Sequence, residues 1–399
     1  MSHWSRKRLR TTAAPGIAHA AAALLVLAVS MPHSITARAN AQLTGFSVTP
    51  NSPPPAPHAH TGLLPVSTKK TLVIPAGSEL CGIDSIFADG FETPSFIPIN
   101  QSIGGIVSPG LTQDITGTGA LSVTITSPAT GATTGDSTVD VSGTFVGPVN
   151  TGIAVNGIAG YTSSSQFLVP NVPLISGANT LSLTATILPG ATATNTGSIT
   201  QSGTATPIVV ATDRPIGYAP FVEHFTYLIG ALPGNATINA VAINFKGTGG
   251  NDYSGPLANA PKSYTYQQPG LYTAQFQFTD SNNAVYTIKR SVLIQDLVVQ
   301  RGVLCDVYGY LRNRLNAQDA TNAGYALQPV IRNDYISFFN QLGASMPATA
   351  QQLGVIVDGQ LGIGFADLLL VRDNPDQSRS GFPLRLTLGT DGVWRISEM

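Results

Sequence analysis

Charge is scarce in this chain. Of its 399 residues only 10% are Asp, Glu, Lys or Arg, against roughly 25% in an ordinary soluble protein. Cysteine is rarer still, with Cys81 and Cys305 alone. Histidine numbers six, and His3, His19 and His33 fall before residue 42. Past that point no apolar run approaches the roughly 20 residues that span a bilayer. Nor does a basic cluster with aromatic neighbours remain to hold a nucleic-acid backbone. Local signatures of catalysis are missing as well: there is no G-x-S-x-G, H-E-x-x-H, G-K-[ST] or C-x-x-C. That excludes the sequence-local forms of the nucleophile elbow, the zinc protease, the phosphate loop and the dithiol redox site. A Ser-His-Asp site scattered along the chain is not excluded.

What is there points to export and to short strands. SRKRLR (Ser5–Arg10) is basic, GIAHAAAALLVLAVSM (Gly16–Met31) is apolar, and Ala37-Arg38-Ala39 and Ala39-Asn40-Ala41 both fit small-x-small cleavage. Residues 1–41 therefore read as a Sec-type signal peptide, the apolar core being too short for a membrane anchor. The expected destination is the periplasm, the cell surface or the medium. Losing Arg6, Lys7, Arg8, Arg10 and Arg38 leaves 15 basic residues against 21 acidic ones, a net charge near −6. With 41 glycines and 28 prolines, the remainder favours many turns. In an oxidising compartment Cys81 and Cys305 form a possible disulfide; the alternative is two separate thiols.

Residues 42–118 read as a Pro-rich linker region of low order. NSPPPAPHAH (Asn51–His60) is an extended spacer. His58 and His60 form H-x-H with no further ligand, short of a metal site. DSIFADGFE (Asp84–Glu92) resembles a short motif that recurs in exported proteins of some proteobacteria. Its acids, Asp84, Asp89 and Glu92, are too few for a calcium loop, so a solvated linker element is expected.

Two β units follow. In residues 119–203, LSVTITSP (Leu121–Pro128), STVDVSGTF (Ser137–Phe145) and GANTLSLTAT (Gly177–Thr186) alternate at period two, and Asn156-Gly157 marks a two-residue hairpin. Val139, Val141, Phe145, Leu181 and Leu183 are the expected core. Strands at this spacing predict a sandwich. The series resembles bacterial Ig-like modules of the glucodextranase domain B type. In residues 204–297, FVEHFTYLIG (Phe221–Gly230) and NAVAINF (Asn239–Phe245) are strands. In SYTYQQPGLYTAQFQFTD (Ser263–Asp280), Pro269-Gly270 turns, and Tyr272, Ala274, Phe276 and Phe278 then share one face. This stretch resembles the PKD domain. Aromatic residues at such spacing are read as core rather than as a carbohydrate platform.

Residues 298–399 hold eight arginines and nine acids, 17 of the chain's 41 charged residues. Val299, Val303, Val307 and Leu311, with Leu304, Tyr308 and Leu315 beside them, make a helical face. A second helical stretch runs from Asp319, a candidate N-cap, to Leu342, divided or kinked at Pro329, and Pro347 suits the first turn of a third. Strands are expected at Gly354–Asp358, Gly364–Asp373, Phe382–Gly389 and Gly392–Met399, with a hairpin turn at Asp391-Gly392. Helices followed by an antiparallel sheet form an α+β layer. With the closing D-G-V-W-R-I, this order resembles NTF2-like domains. The expected fold is thus mainly β, two tandem Ig-like/PKD-type sandwiches and then a small α+β domain.

Chemistry has few candidates. INFKGTGGNDY (Ile243–Tyr253) has the outline of an acidic calcium loop, of the kind that PKD-like relatives carry as D-x-D-x-D-G. Here the acid positions read Asn244, Lys246 and Thr248, and only Asp252 keeps a carboxylate. Calcium takes six to eight oxygens, so the loop is read as degenerate, turn kept and metal lost. His224 beside Glu223 reads as a partly exposed strand histidine. Similarity to NTF2-like enzymes, which use an Asp base and a Tyr donor, makes Asp306, Tyr310, Asp334 and Tyr335 the residues of the right types. No cofactor is implied. The leading expectation is an exported non-enzymatic binding or spacer protein for a protein or glycan at the cell envelope. Similar modules attached to large surface proteins imply an adhesion or assembly accessory. The alternative is a small-molecule binder or enzyme working through a C-terminal pocket.

Overall fold

The structure is a computed structural model that describes residues 97–98, 115–116, 119–203, 207–374, 376 and 378–399. The expected signal peptide, the proline-rich spacer, the DSIFADGFE motif, His58, His60 and Cys81 lie outside these residues. All of the described residues belong to one compact unit, Pro75–Met399.

A two-residue strand, β1 (Ile97–Pro98), comes first among the described residues. Nine strands then build the first sandwich: β2 (Ser122–Ser127), β3 (Ala132–Thr134), β4 (Thr138–Val146), β5 (Gly152–Val155), β6 (Ile158–Ala159), β7 (Tyr161–Ser163), β8 (Gln166–Pro173), β9 (Gly177–Thr186) and β10 (Thr192–Gln201). One sheet has the order β2-β4-β8-β7 and the other β3-β10-β9-β5-β6. Val141, Phe145, Leu181 and Leu183 enter the core between them, and Val139 packs at its margin. Asn156 and Gly157, both at positive φ, close a two-residue turn between Val155 and Ile158.

The second sandwich holds β11 (Ile208–Thr212), β12 (Ile216–Tyr218), β13 (Phe221–Ile229), β14 (Ile238–Asn244), β15 (Tyr253–Gly255), β16 (Ser263–Tyr266), β17 (Gly270–Asp280) and β18 (Val285–Gln295). Its sheets are β11-β13-β16 and β12-β18-β17-β14-β15. Ala274, Phe276 and Phe278 are fully buried, with Tyr272 packed at the margin. Phe276 meets Phe225 and Phe245 at ring distances of 5.2 and 6.0 Å. Such tilted and edge-on pairs add about 0.5–1.5 kcal/mol each beyond burial. Asp280 ends β17 by accepting from the amides of Asn282 and Ala284 at 2.8 and 2.9 Å.

The C-terminal part is α+β: α1 (Leu297–Asn316), α2 (Ala320–Tyr325), α3 (Pro329–Leu342) and α4 (Met346–Gln351), then β19 (Val355–Gly362), β20 (Phe365–Asp373), β21 (Arg379–Leu388) and β22 (Trp394–Glu398). Asp296 caps α1 through the amides of Val298 and Val299, and Asp319 caps α2 through Asn322. Val303, Val307 and Leu311 are buried, whereas Val299 is 39% exposed. Steps of four on a helix of 3.6 residues per turn drift by roughly 40° each, so the series cannot stay on one face. Burying each of these side chains fully stabilises by about 1.5–3 kcal/mol. Pro329 starts a helix rather than kinking one. The link before it, Ala326 to Gln328, bonds to Ile396 in both directions and covers the outer edge of β22. The β21–β22 hairpin is one residue longer than expected. Leu388 pairs with Trp394, Gly389 bonds to Val393, and the loop is Thr390-Asp391-Gly392 with Gly392 at φ 77°.

The sheet order is β1-β19-β20-β21-β22, with Ile97 opposite Leu361 and Pro98 opposite Gln360. Ile115, 2% exposed, belongs to the same C-terminal core. Two points of the segment read as linker are therefore built into the last domain.

Candidate functional site

The loop between β14 and β15 is organised by its own side chains. Asn244 Oδ1 accepts from the amides of Lys246 and Gly247 at 3.1 and 2.8 Å, and its Nδ2 donates to the carbonyls of Thr248 and Gly249. Asp252 Oδ2 accepts from the amide of Phe245 at 2.8 Å, while Lys246 Nζ lies 3.9 Å from Asp252 Oδ1. Gly247 sits at φ 73°, and a Cβ there would meet the Thr273 carbonyl at 2.4 Å. The oxygens a cation would use already hold amide protons, and an ammonium stands beside the one carboxylate. No group of three or more His, Cys, Asp or Glu among the described residues is placed to hold a metal. We expect the melting temperature to be equal in chelator and in millimolar calcium. A calcium-dependent rise abolished by Asp252→Asn would overturn this.

Next to exposed His224, Glu223 is completely buried, a feature that sequence pattern did not reveal. Its Oε1 accepts from the amides of Asp213 and Arg214 at 2.8 and 3.1 Å, fastening the loop between β11 and β12; Oε2 has no hydrogen-bond partner among the described residues. Burial pushes this carboxyl from the usual 4.5 up to about 7, against the pull of the two amides. The folded state therefore binds the extra proton between these values. Stability should fall as pH rises from about 4.5 to 7 and level off above, by roughly 3 kcal/mol at 1.36 kcal/mol per unit. Glu223→Gln should flatten that slope in urea melts taken across the range. An unchanged slope would assign it elsewhere.

The four C-terminal candidates differ in their surroundings. Asp306 and Tyr310 are buried on α1, and Asp306 is engaged. Asp334 is exposed on α3, and Tyr335 donates to the Met399 carbonyl at 3.4 Å. Arg312 and Arg332 lie over the rings of Tyr308 and Tyr325 at 5.8 and 4.9 Å. Arg332 also donates from Nε to the Gly324 carbonyl. Their charge sits on rings and a helix end.

The most elaborate polar site joins the three domains. Asn150, 2% exposed, donates to the Trp394 carbonyl at 3.1 Å and accepts from the Trp394 amide at 3.0 Å. Its side-chain amide thus stands in for a strand neighbour. Beside it Gly152 and Gly392 touch backbone to backbone: a Cβ on Gly392 would meet Ile153 N and O at 2.5 Å. Leu188, at the β9–β10 turn, is fully buried in the C-terminal core. Between the sandwiches, Ser163 Oγ donates to the Ile294 carbonyl at 2.8 Å, Gln295 to Thr162 at 2.9 Å, and the Leu271 amide to Gln166 Oε1 at 3.2 Å. Leu168, Ile216 and Leu293 form a small buried cluster there. Tyr218 of the second sandwich donates to the Gly362 carbonyl at 3.4 Å and is buried in the C-terminal core. Burial holds its hydroxyl well above the usual tyrosine range.

No family profile matches the chain, and no curated protein does. Some solved structures align with part of the chain. Fibronectin(III)-like modules of Clostridium thermocellum CbhA are 14% identical, over 44% of this chain and 96% of theirs, with a TM-score of 0.18. Domains 5–6 of the S-layer protein SbsC are 9% identical, over 44% and 98%, with a TM-score of 0.21. The Yersinia pseudotuberculosis adhesin InvE is 11% identical, over 44% and 61%, with a TM-score of 0.17. The chain is mainly β and built of sandwich modules with an α+β end. No helix among the described residues is long and apolar enough to cross a membrane.

Proposed function

We propose that this chain is an exported, non-enzymatic modular protein that works at the cell envelope as a stiff binding body or spacer for a protein or glycan partner. The observation that carries this reading is the junction. A flexible string of modules meets at exposed linkers. Here buried side-chain-to-backbone bonds from Asn150, Ser163, Gln295 and Tyr218 hold all three domains in one arrangement. Fixed geometry lowers the ordering cost of binding. The test is a sedimentation assay of the mature protein with purified envelope fragments, with and without enzymatic removal of surface protein or of glycan. Saturable retention lost with one of those treatments is expected. Retention no greater than that of albumin would count against the reading.

A further inference from the structure

We propose that Glu223 is a proton-operated clasp on the loop that ties the three domains together, holding the tie closed in acid and loosening it at neutral pH and above. This regulation belongs to the fixed junction described above and presupposes it. Strands β11 and β13 are neighbours in one sheet, with Thr212 opposite Phe225, and the Asp213 amide donates to the His224 carbonyl. The residues between are therefore one long hairpin loop, and Glu223 stands at its neck. That loop does the joining. It lays β12 parallel against β18, with Ile216 opposite Leu293, and the Leu293 amide donates to the Pro215 carbonyl. Ile216 is in the small cluster that includes Leu168 of the first sandwich. Tyr218, two residues on, is buried in the C-terminal core and donates to the Gly362 carbonyl. Across the neck, one oxygen of Glu223 accepts both the Asp213 and the Arg214 amides, and the Arg214 guanidinium lies over the Phe221 ring at 5.3 Å.

The surroundings of this carboxyl decide its preferred state. It is 0% exposed, and its second oxygen has no hydrogen-bond partner among the described residues. Asp213 and Arg214 face it from the loop, with opposite effects on its charge. From β16, Tyr264 is opposite in register, and the buried Tyr266 is near enough for its hydroxyl to feel the charge. That hydroxyl donates to the Phe245 carbonyl at 3.0 Å, and Asp252, from the loop after β14, acts on it as well. The opposing sheet contributes Ala274, Phe276, Val292 and Ile294 to the same core, all apolar. His224 and Lys262 are exposed. A carboxylate held here keeps one oxygen away from both water and a donor, so the closed neck favours the neutral acid. Opening the neck hydrates the group and restores its ordinary acidity. As pH climbs from about 4.5 to about 7 the opened form therefore gains on the closed one, and above that the gain is complete.

The test is hydrogen exchange of the mature protein, read by mass spectrometry from about pH 5 to 7.5 and corrected for the intrinsic pH dependence of amide exchange. Opening of residues 213–218 should rise at least tenfold over that range, and the Leu293 amide should rise in step. The β9–β10 hairpin, residues 177–201, serves as the control and should not follow. Glu223→Gln, neutral at every pH, should hold the opening constant. Wild-type opening that does not change with pH, or the same rise in Glu223→Gln, would overturn the proposal. So would a rise at 213–215 that leaves 216–218 untouched, because the clasp would then not govern the tie. Residues 216–218 unprotected already at the acid end would undo the fixed junction itself, a failure told apart by its lack of pH dependence. Should Glu223→Gln lose its thermal transition, the wild-type series decides alone.

Discussion

Reduction should lower the melting temperature of the exported protein by on the order of 10 °C. Cys305 lies on α1, is 8% exposed, and is disulfide-bonded. The sequence offers one other cysteine, Cys81, which lies outside the described residues. We read the pair as Cys81–Cys305, one of the two possibilities open from sequence. It would close a loop of 224 positions, and by chain entropy a loop of that length restrains the unfolded state by about 5 kcal/mol. A few degrees per kcal/mol is usual at this size. Cys81→Ser and Cys305→Ser should each reproduce the loss, and the double variant should add little to either. Two free thiols by mass spectrometry of the unreduced protein, or equal melting with and without reductant, would dispose of the pairing.

The second large effect is expected at Gly392. Valine there would set a Cβ 2.5 Å from Ile153 N and O, on a residue at φ 77°. Overpacking and positive-φ strain together cost about 4 kcal/mol. The loss should do more than lower stability. Asn150 and Trp394 bond next to this contact, so separating the two surfaces exchanges both of those hydrogen bonds for water, at about 0.5–1.5 kcal/mol each. Calorimetry should change from one transition to two as the C-terminal domain uncouples from the first sandwich. Gly250→Ala is the control, since nothing lies within 4 Å of its Cβ position. A single unshifted transition in Gly392→Val would show that the contact does not couple the domains.

Both sites show what a linear reading reaches. Strands with one wet face were legible, because β9 and β17 alternate strictly: Leu181, Leu183, Phe276 and Phe278 are inside. Strand β8 was not read, for a physical reason. Phe167, Leu168 and Val169 are all buried, since one face looks into the sandwich and Leu168 looks into the second module. Pro170 and Pro173 further disguise it. Strand β10 hid for the opposite reason, with threonines outside and Ala193, Asn195 and Gly197 facing inward. The turn at Asn244 was legible because its glycines, Gly247 and Gly249 at positive φ, are visible in letters. Asn150 and Glu223 were not, because a polar residue announces burial only through partners far away in sequence. Trp394 is 244 positions from Asn150.

The pairing of β1 with β19 also sets the mechanical character of the molecule. Ile97 and Met399 both belong to the C-terminal domain: one is on its sheet edge, and the carbonyl of the other accepts from Tyr335 on α3. A pull applied between these two residues runs through that domain alone, while the sandwiches hang from it as a side loop outside the line of force. Under tension the molecule should behave as one short link. Its reach is set by the breadth of its last domain and not by the number of modules threaded before it.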